Sequence, residues 1–319
     1  MKKTKKNILV IGGAGYVGGI TTDLLSAAGH QVTVFDNLMY EKRYLKNCNF
    51  IYGDIRDSDK LLNIHKSFDE IIWLAAIVGD GACAQNPDLT KSVNVDSIKN
   101  FLRKAKRRLI YLSTCSVYGA QNNILNENSP TKPLSLYAYT KLEAEKLVLK
   151  NNGLVFRLGT LFGLGDNYSR IRLDLVVNFL ALRAFRDRHI TVYGGEQWRP
   201  LLAVSDAARY LVEAVNANHL GIYNLKYENT KISDLAKRFK KLFPGLSVEY
   251  TDIQFEDLRN YRVESRKAEK DFKFKPSVNL ETEIKKLTKL FQEGRIQNVN
   301  EDIYYNTNYV KALLYNHAI

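Results

Sequence analysis

The 319-residue chain holds only three cysteines, Cys48, Cys83 and Cys115, with no C-x-x-C spacing among them. An odd, scattered count argues against a disulfide framework and against a thiolate metal centre. It fits reduced thiols, and no metal is expected. Long apolar runs are also missing. Nothing reaches the roughly 18 consecutive apolar residues of a membrane span, so no membrane partner is expected. The start, Met1-Lys2-Lys3-Thr4-Lys5-Lys6, is basic, but the apolar run behind it, Ile8 to Ile11, is too short for a signal-peptide core. The expectation is a cytoplasmic protein. There is no internal repeat and no low-complexity linker.

Acidic residues are in the minority, with 34 Asp and Glu against 47 Lys and Arg, a net charge of +13. Such an excess is one signature of nucleic-acid binding. Here the cations are spread along the chain, with short bursts at Lys2–Lys6 and Arg103–Arg108, and no zinc-finger or RNP-type motif accompanies them. No nucleic-acid partner is expected. A phosphate-bearing small substrate accounts for part of the excess and a lysine-rich surface for the rest. The 45% hydrophobic content suffices for one large domain or two intimate ones.

The apolar runs that do occur are short and punctuated. Ile8–Ile11, Gln31–Asp36, Asn49–Tyr52, Glu70–Leu74, Leu109–Leu112 and Val155–Leu158 read as strands, and helical stretches reach to Ala28 and span Tyr137–Lys150. Strands alternating with helices predict an α/β fold, a doubly wound parallel sheet of the Rossmann type. From about Gly165 the pattern changes to helical and irregular segments with isolated strands such as Ile190–Tyr193, and helices near Ser205–Ala217 and Ile232–Leu242. The chain therefore divides at this level into residues 1–164, a dinucleotide-binding core, and 165–319, a smaller C-terminal substrate-binding lobe with the option of returning strands to the sheet.

Gly12, Gly15 and Gly18 form G-x-x-G-x-x-G between the first strand and its helix, with Tyr16 and Val17 opening the helix. The first glycine allows the turn, the second lets backbone approach a pyrophosphate, and the third lets helix and strand pack closely. The helix N-terminus offers free N–H groups and a positive dipole end. Asp36 ends the second strand, eighteen residues after Gly18, with Asn37 next. A carboxylate there accepts hydrogen bonds from ribose hydroxyls and repels a 2′-phosphate, so NAD rather than NADP is the expected cofactor. Lys42 and Arg43 lie beyond the position that meets the ribose.

Tyr137 and Lys141 form Y-x-x-x-K, and i and i+4 share a helix face. A lysine ammonium beside a phenol favours the phenolate, and the positive charge of an oxidised nicotinamide adds to that, giving a base usable near neutrality. Thr114, just past Ser113 at the end of a strand, adds a hydroxyl at the carboxyl edge of the sheet. Each feature alone has a plain structural reading, an exposed helix pair or a strand-end cap. Their order on a doubly wound pattern makes them a candidate catalytic set.

With these motifs the chain resembles the extended short-chain dehydrogenase/reductases, specifically the NAD-dependent nucleotide-sugar epimerases and dehydratases. The resemblance runs through Gly12–Gly18, Asp36, Gly53-Asp54-Ile55, Leu74-Ala75-Ala76, Ser113–Gly119, Tyr137 and Lys141, Arg157–Gly163 and Trp198–Asp206. It implies about seven strands in the sheet. It implies that Asp54 and Ile55 hold adenine and that Leu74, Ala75 and Ala76 run along the cofactor. Thr114, Tyr137 and Lys141 would be catalytic, and Asn178 and Arg199 with Arg259 would meet the substrate's phosphates. Tyr193 would pack on its base. A homodimer is also implied, through Asp88–Ala105 and Tyr137–Lys150.

The departures narrow the chemistry. Sugar-nucleotide 4,6-dehydratases carry Thr-Asp-Glu where this chain has Thr114-Cys115-Ser116, so elimination lacks its carboxylates. Epimerase-reductases of the family carry a cysteine at the place of Ser116; Cys115 is one residue off and, on extended backbone, faces the other way. Thr160 replaces a family asparagine. What remains is oxidation of a C4 hydroxyl on a GDP- or UDP-linked sugar. The keto sugar is then either re-reduced, as in a 4-epimerase, or released, as in the GDP-heptose 4-dehydrogenases of bacterial capsule synthesis that this chain resembles. A non-enzymatic NAD(P) sensor on the same fold is the alternative, though such proteins usually lack the tyrosine or the lysine.

Overall fold

A computed structural model describes residues 5–251 and 259–316, so most of the basic start lies outside the described residues. The first half runs β1 (Asn7–Ile11), α1 (Tyr16–Ala27), β2 (Gln31–Asp36), β3 (Asn49–Tyr52), α2 (Ser58–Ile64), β4 (Glu70–Trp73), α3 (Asp80–Gln85), α4 (Pro87–Lys91), α5 (Ser97–Ala105), β5 (Ile110–Thr114), β6 (Ala120–Leu125), α6 (Leu136–Lys150), β7 (Leu154–Leu158) and β8 (Thr160–Phe162). The second runs α7 (Val176–Arg186), β9 (His189–Tyr193), β10 (Trp198–Ala203), α8 (Val204–Val215), β11 (Gly221–Leu225), β12 (Glu228–Lys231), α9 (Ile232–Leu242), β13 (Ser247–Thr251), β14 (Asn260–Val263), α10 (Arg266–Phe272), α11 (Leu280–Gln292) and α12 (Asn306–Asn316). No helix among the described residues is long and apolar enough to cross a membrane.

Seven parallel strands form the main sheet in the order β3-β2-β1-β4-β5-β7-β11. The central strands are apolar on both faces because helices cover both: β1 and β5 are buried almost throughout. On one face Ile8, Val10 and Phe156 pack with Leu211, Val215, Tyr223 and Phe272; on the other Leu9, Ile71 and Trp73 pack with Phe101, Ala144 and Val148. The first of these layers draws on α8, β11 and α10. The second half of the chain thus completes the sheet as well as building a lobe. That lobe has its own core, in which Leu180, Phe239 and Ile284 meet between α7, α9 and α11.

The order reverses between β1 and β4, where one connection leaves to β2 and the next to the opposite side. In an open parallel sheet such a switch point leaves a crevice at the carboxyl ends of the strands. The C-terminal lobe stands over that crevice.

Candidate active site

One cleft of about 1640 Å³ runs along the carboxyl edge of the sheet and continues beneath the C-terminal lobe. Its floor begins at the glycine turn. Gly12 has φ +82°, and a Cβ there would meet the Ala75 nitrogen at 2.5 Å; one on Gly18 would meet the Gly12 oxygen at 2.3 Å. These two glycines are fixed by packing between turn, strand and helix. Gly15 differs: a Cβ on it would touch only the Gly12 oxygen, at 3.6 Å, and otherwise enter the cleft. Gly15 is also the N-cap of α1 and provides no side-chain cap. The first turn of α1 therefore presents uncapped N–H groups to open space, the cradle that a diphosphate requires.

Asp36 lies at the end of β2, where its Oδ2 accepts from the Ala14 N–H at 3.0 Å and its Oδ1 from the Leu38 N–H at 2.8 Å. Burial raises its pKa, and these backbone donors oppose the rise. The carboxylate thus fastens the glycine turn to β2 and keeps lone pairs toward the cleft. Asn37 donates to Asp54 at 3.2 Å, while Arg56 grips Asp54 through Nε and Nη2 at 2.9 and 2.7 Å and lowers its pKa. Asp54, Ile55, Leu74, Ala75 and Ala76 line the same wall. Tyr16 and Val17 line it too, and the Tyr16 hydroxyl is spent on the Gly163 carbonyl at 2.7 Å. The residues present fit a nicotinamide dinucleotide, with the open face of Gly15 for its diphosphate and Asp36 for its ribose.

Thr114, Tyr137 and Lys141 meet farther along the cleft. Thr114 is the last residue of β5; its Oγ1 donates to Ser116 Oγ and accepts from the Ser116 N–H, each at 3.1 Å. Ser135 caps α6 through the Ala138 N–H and aligns the helix so that Tyr137 and Lys141 face the cleft. Burial pushes the Tyr137 phenol up, reinforced by Cys83 and Asp80 and opposed by a hydrogen bond with Thr114. Burial brings Lys141 down to about 7, with Glu145 opposing it. Without a cofactor the pair is thus set toward neutral forms, and lysine alone does not produce a phenolate. The charge of an oxidised nicotinamide is the missing contribution.

Behind the pair lies a buried network that sequence reasoning did not find. Glu145 accepts from Arg157 Nη2 at 2.7 Å and also from Ser113, while Arg157 Nη1 donates to Tyr118 at 2.9 Å. It ties α6 to β5 and β7. Asn94, in a π-helical turn at Ser92–Asp96, bonds the Ile77 backbone and Thr140 and fixes α6 from the other side. The π turn leaves no trace in hydrophobic periodicity.

The substrate-side expectations divide. Tyr193, Arg199 and Arg259 line the cleft beneath the lobe. Arg259 Nη1 sits 3.1 Å from Ser116 Oγ and 3.4 Å from Asp80, so its guanidinium is next to Thr114. Ser116 also meets the Tyr261 hydroxyl at 3.3 Å. Asn178 requires a correction. It is fully buried on α7 and does not line the cleft; its amide binds Gly163 N–H and carbonyl at 2.9 and 3.1 Å and the Arg172 carbonyl at 2.8 Å. With those groups engaged, Asn178 shapes the segment that carries Arg172 and does not face a ligand's phosphates. Cys115 points into the core, where its Sγ donates to the Arg157 carbonyl at 3.2 Å.

The profile of the NAD dependent epimerase/dehydratase family matches residues 8–225. The chain belongs to that family. Among its relatives, UDP-glucuronic acid decarboxylase 1 of Danio rerio is 30% identical over 310 residues, 91% of this chain and 73% of that protein. UDP-N-acetyl-alpha-D-glucosaminuronate decarboxylase of Bacillus cytotoxicus is 27% identical, covering 91% of this chain and 98% of that one. The fold is shared with the UDP-glucose 4-epimerase of Thermotoga maritima, solved with UDP-glucose, at a TM-score of 0.80 and 23% identity over 91% of this chain and 99% of that one. The family includes epimerases, dehydratases and decarboxylases of nucleotide sugars, and it depends on NAD.

Proposed function

We propose that the chain oxidises the C4 hydroxyl of a nucleotide-linked sugar, with Tyr137 as the base, Thr114 orienting the hydroxyl and Lys141 supporting the phenolate. The observation that carries this reading is one continuous cleft, which joins the glycine cradle to Thr114, Tyr137 and Lys141 and then to Tyr193, Arg199 and Arg259. When bound, the nicotinamide supplies the two-electron acceptor for the carbon that bears the hydroxyl. Tyr137 holds the proton released from the sugar oxygen, and Thr114 fixes that oxygen within reach. Asp36 selects NAD over NADP.

Cys115 and Ser116 stand where a dehydratase has its two carboxylates, and the Cys115 thiol is turned into the core. This favours a ketone that is re-reduced or released over one that loses water. The guanidinium of Arg259 beside Ser116, together with relatives that are uronic-acid decarboxylases, supports a second reading. A cation there can seat a C6 carboxylate. Oxidation at C4 makes that carboxylate β to a ketone, and its loss as carbon dioxide leaves an enolate that takes up a proton.

The test is product analysis on the purified protein with UDP-glucose, UDP-glucuronic acid and a GDP-linked hexose or heptose, by mass spectrometry and proton NMR. A C4 epimer or a 4-keto sugar supports the first reading. Evolution of carbon dioxide from UDP-glucuronic acid selects the second. A 4-keto-6-deoxy product contradicts both.

A further inference from the structure

The last described helix, α12, belongs to the cleft although it lies far in sequence from both motif-bearing regions. Thr307, Tyr309, Val310, Leu313 and Leu314 line the same space as Gly15, Val17 and Tyr137. Val310 is buried in an apolar cluster with Ile77 and Cys83, which follow β4. Met39 and Tyr40, which follow β2, and Tyr137 on α6 pack against the same cluster. The helix therefore crosses the groove from its adenosine side to its nicotinamide side. The Tyr309 ring packs against that of Tyr40 at a tilt of 37°, with centroids 5.5 Å apart.

Polar pins hold the start of the helix. The Asn306 N–H donates to Asp174 Oδ2 at 3.1 Å, its Nδ2 to the Val78 carbonyl at 2.8 Å, and its Oδ1 accepts from Arg170. Arg170 also donates to the Ile303 carbonyl at 2.5 Å and lies 4.4 Å over the Tyr40 ring. Next to it, Arg172 is bound through two nitrogens to Asp174, 2.7 and 2.9 Å, and faces the Tyr16 ring at the mouth of the glycine cradle. Asp174, its pKa lowered chiefly by Arg172 against the rise from burial, binds that guanidinium and feels the charge of Arg170 without bonding it. The other nearby carboxyl, Glu41, is pushed up to about 7 by burial, and burial and then Arg172 bring Arg170 down to about 10. The bracket carries surplus positive charge beside a helix N-terminus, and an inserted diphosphate relieves it.

We propose that α12, pinned through Asn306 to Val78, Asp174 and Arg170, is a clasp over the dinucleotide groove that holds the nicotinamide dinucleotide in place from one turnover to the next. The diphosphate neutralises the Arg170–Arg172 bracket and tightens the pins, while Val310 and Tyr309 seal the groove against Tyr40 and Ile77. One consequence rests on the C4-oxidation reading above. A cofactor that does not leave must regain its oxidised form on the protein, so the clasp matches a ketone that is re-reduced before release.

The geometry supplies its own test. A Cβ on Gly81 of α3 would lie 3.4 Å from the Thr307 Cβ, at the short edge of the span of a disulfide. In the double variant Gly81→Cys/Thr307→Cys, loaded with NAD and then oxidised, exchange of bound for isotopically labelled NAD should slow by about tenfold or more, and dithiothreitol should restore it. The reduced protein is its own folding control. Asn306→Ala, which removes the side-chain pins and leaves the apolar seal, should speed exchange by about tenfold over wild type. Equal exchange in oxidised and reduced forms, or wild-type exchange in Asn306→Ala, overturns the clasp. No sugar enters the measurement, so its outcome is separate from that of the reaction assigned above.

Discussion

The Lys141 ammonium lies 4.2 Å from the centre of the Tyr111 ring, one turn of α6 before the Glu145 carboxylate that is bound to Arg157. The aromatic face and Glu145 support the charge only in part, since burial still lowers Lys141 to about 7. Between about pH 7 and the ordinary lysine value near 10.4, the unfolded chain holds a proton that the folded protein has lost, so stability rises with pH, by at most about 1.4 kcal/mol per unit. Below about pH 7 both states are protonated and the full cost of the buried charge remains. Urea unfolding of cofactor-free protein at pH 6.5 and 9 should therefore show a larger gain of Lys141→Met over wild type at the lower pH than at the higher. A constant difference across that window contradicts the assignment.

Two glycines of one motif should fail in different ways. Gly15→Val places a side chain in the diphosphate cradle with room on the protein side, so NAD binding should weaken by about a hundredfold or more while the melting temperature holds. Gly18→Ala drives a methyl to 2.3 Å from the Gly12 oxygen and should destabilise the fold by about 1–3 kcal/mol. Calorimetric titration and thermal melts separate the two; matching losses of binding and stability in both variants would refute the division.

We propose that cofactor choice rests on Asp36. NAD should bind more tightly than NADP, and Asp36→Ala should narrow the ratio of the two dissociation constants, because the repulsion of a 2′-phosphate is gone. The ratio is the quantity to compare, since the substitution also removes the bonds to Ala14 and Leu38. Tighter NADP binding by the wild type contradicts the reading.

α5 and α6 lie side by side, and Tyr139 on α6 is 54% exposed on their outer side. We propose, as the family resemblance implies, that a second copy covers this face in a homodimer. Sedimentation at micromolar concentration should give twice the mass of 36.5 kDa, and Tyr139→Glu should shift it toward monomer. A monomeric wild type rules this out.

What the sequence made legible is what short local patterns encode. Six of the seven strands up to Leu158, those of the main sheet, and the glycine turn follow from short apolar runs and from steric demands within a few residues, whereas β6 has no such signal. Tyr137 and Lys141 are legible because a helix puts i and i+4 on one face. Asn178 was misplaced because polarity and position in a motif do not tell whether an amide faces a cleft or, as here, the backbone of Gly163 and Arg172. The seventh strand, β11, was not singled out: Gly221–Leu225 is short and lies among residues of the lobe. Arg170, Arg172 and Asn306 were invisible for a different reason. Their importance comes from contacts across more than 130 residues of sequence, of which no local pattern carries a sign.

The central claim is that Tyr137 takes the proton as the sugar carbon is oxidised. The direct measurement is a single turnover of the NAD-loaded protein with a nucleotide sugar deuterated at C4, chosen as the substrate found by product analysis. Cofactor reduction is followed by absorbance at about 340 nm and the label by mass spectrometry. Wild type should move deuterium from C4 to the cofactor. Tyr137→Phe should bind the sugar but react about 10²–10⁴ times more slowly, with Thr114→Val losing less. Product formed with no transient deuterated reduced cofactor, or Tyr137→Phe reacting at the wild-type rate, would contradict the account.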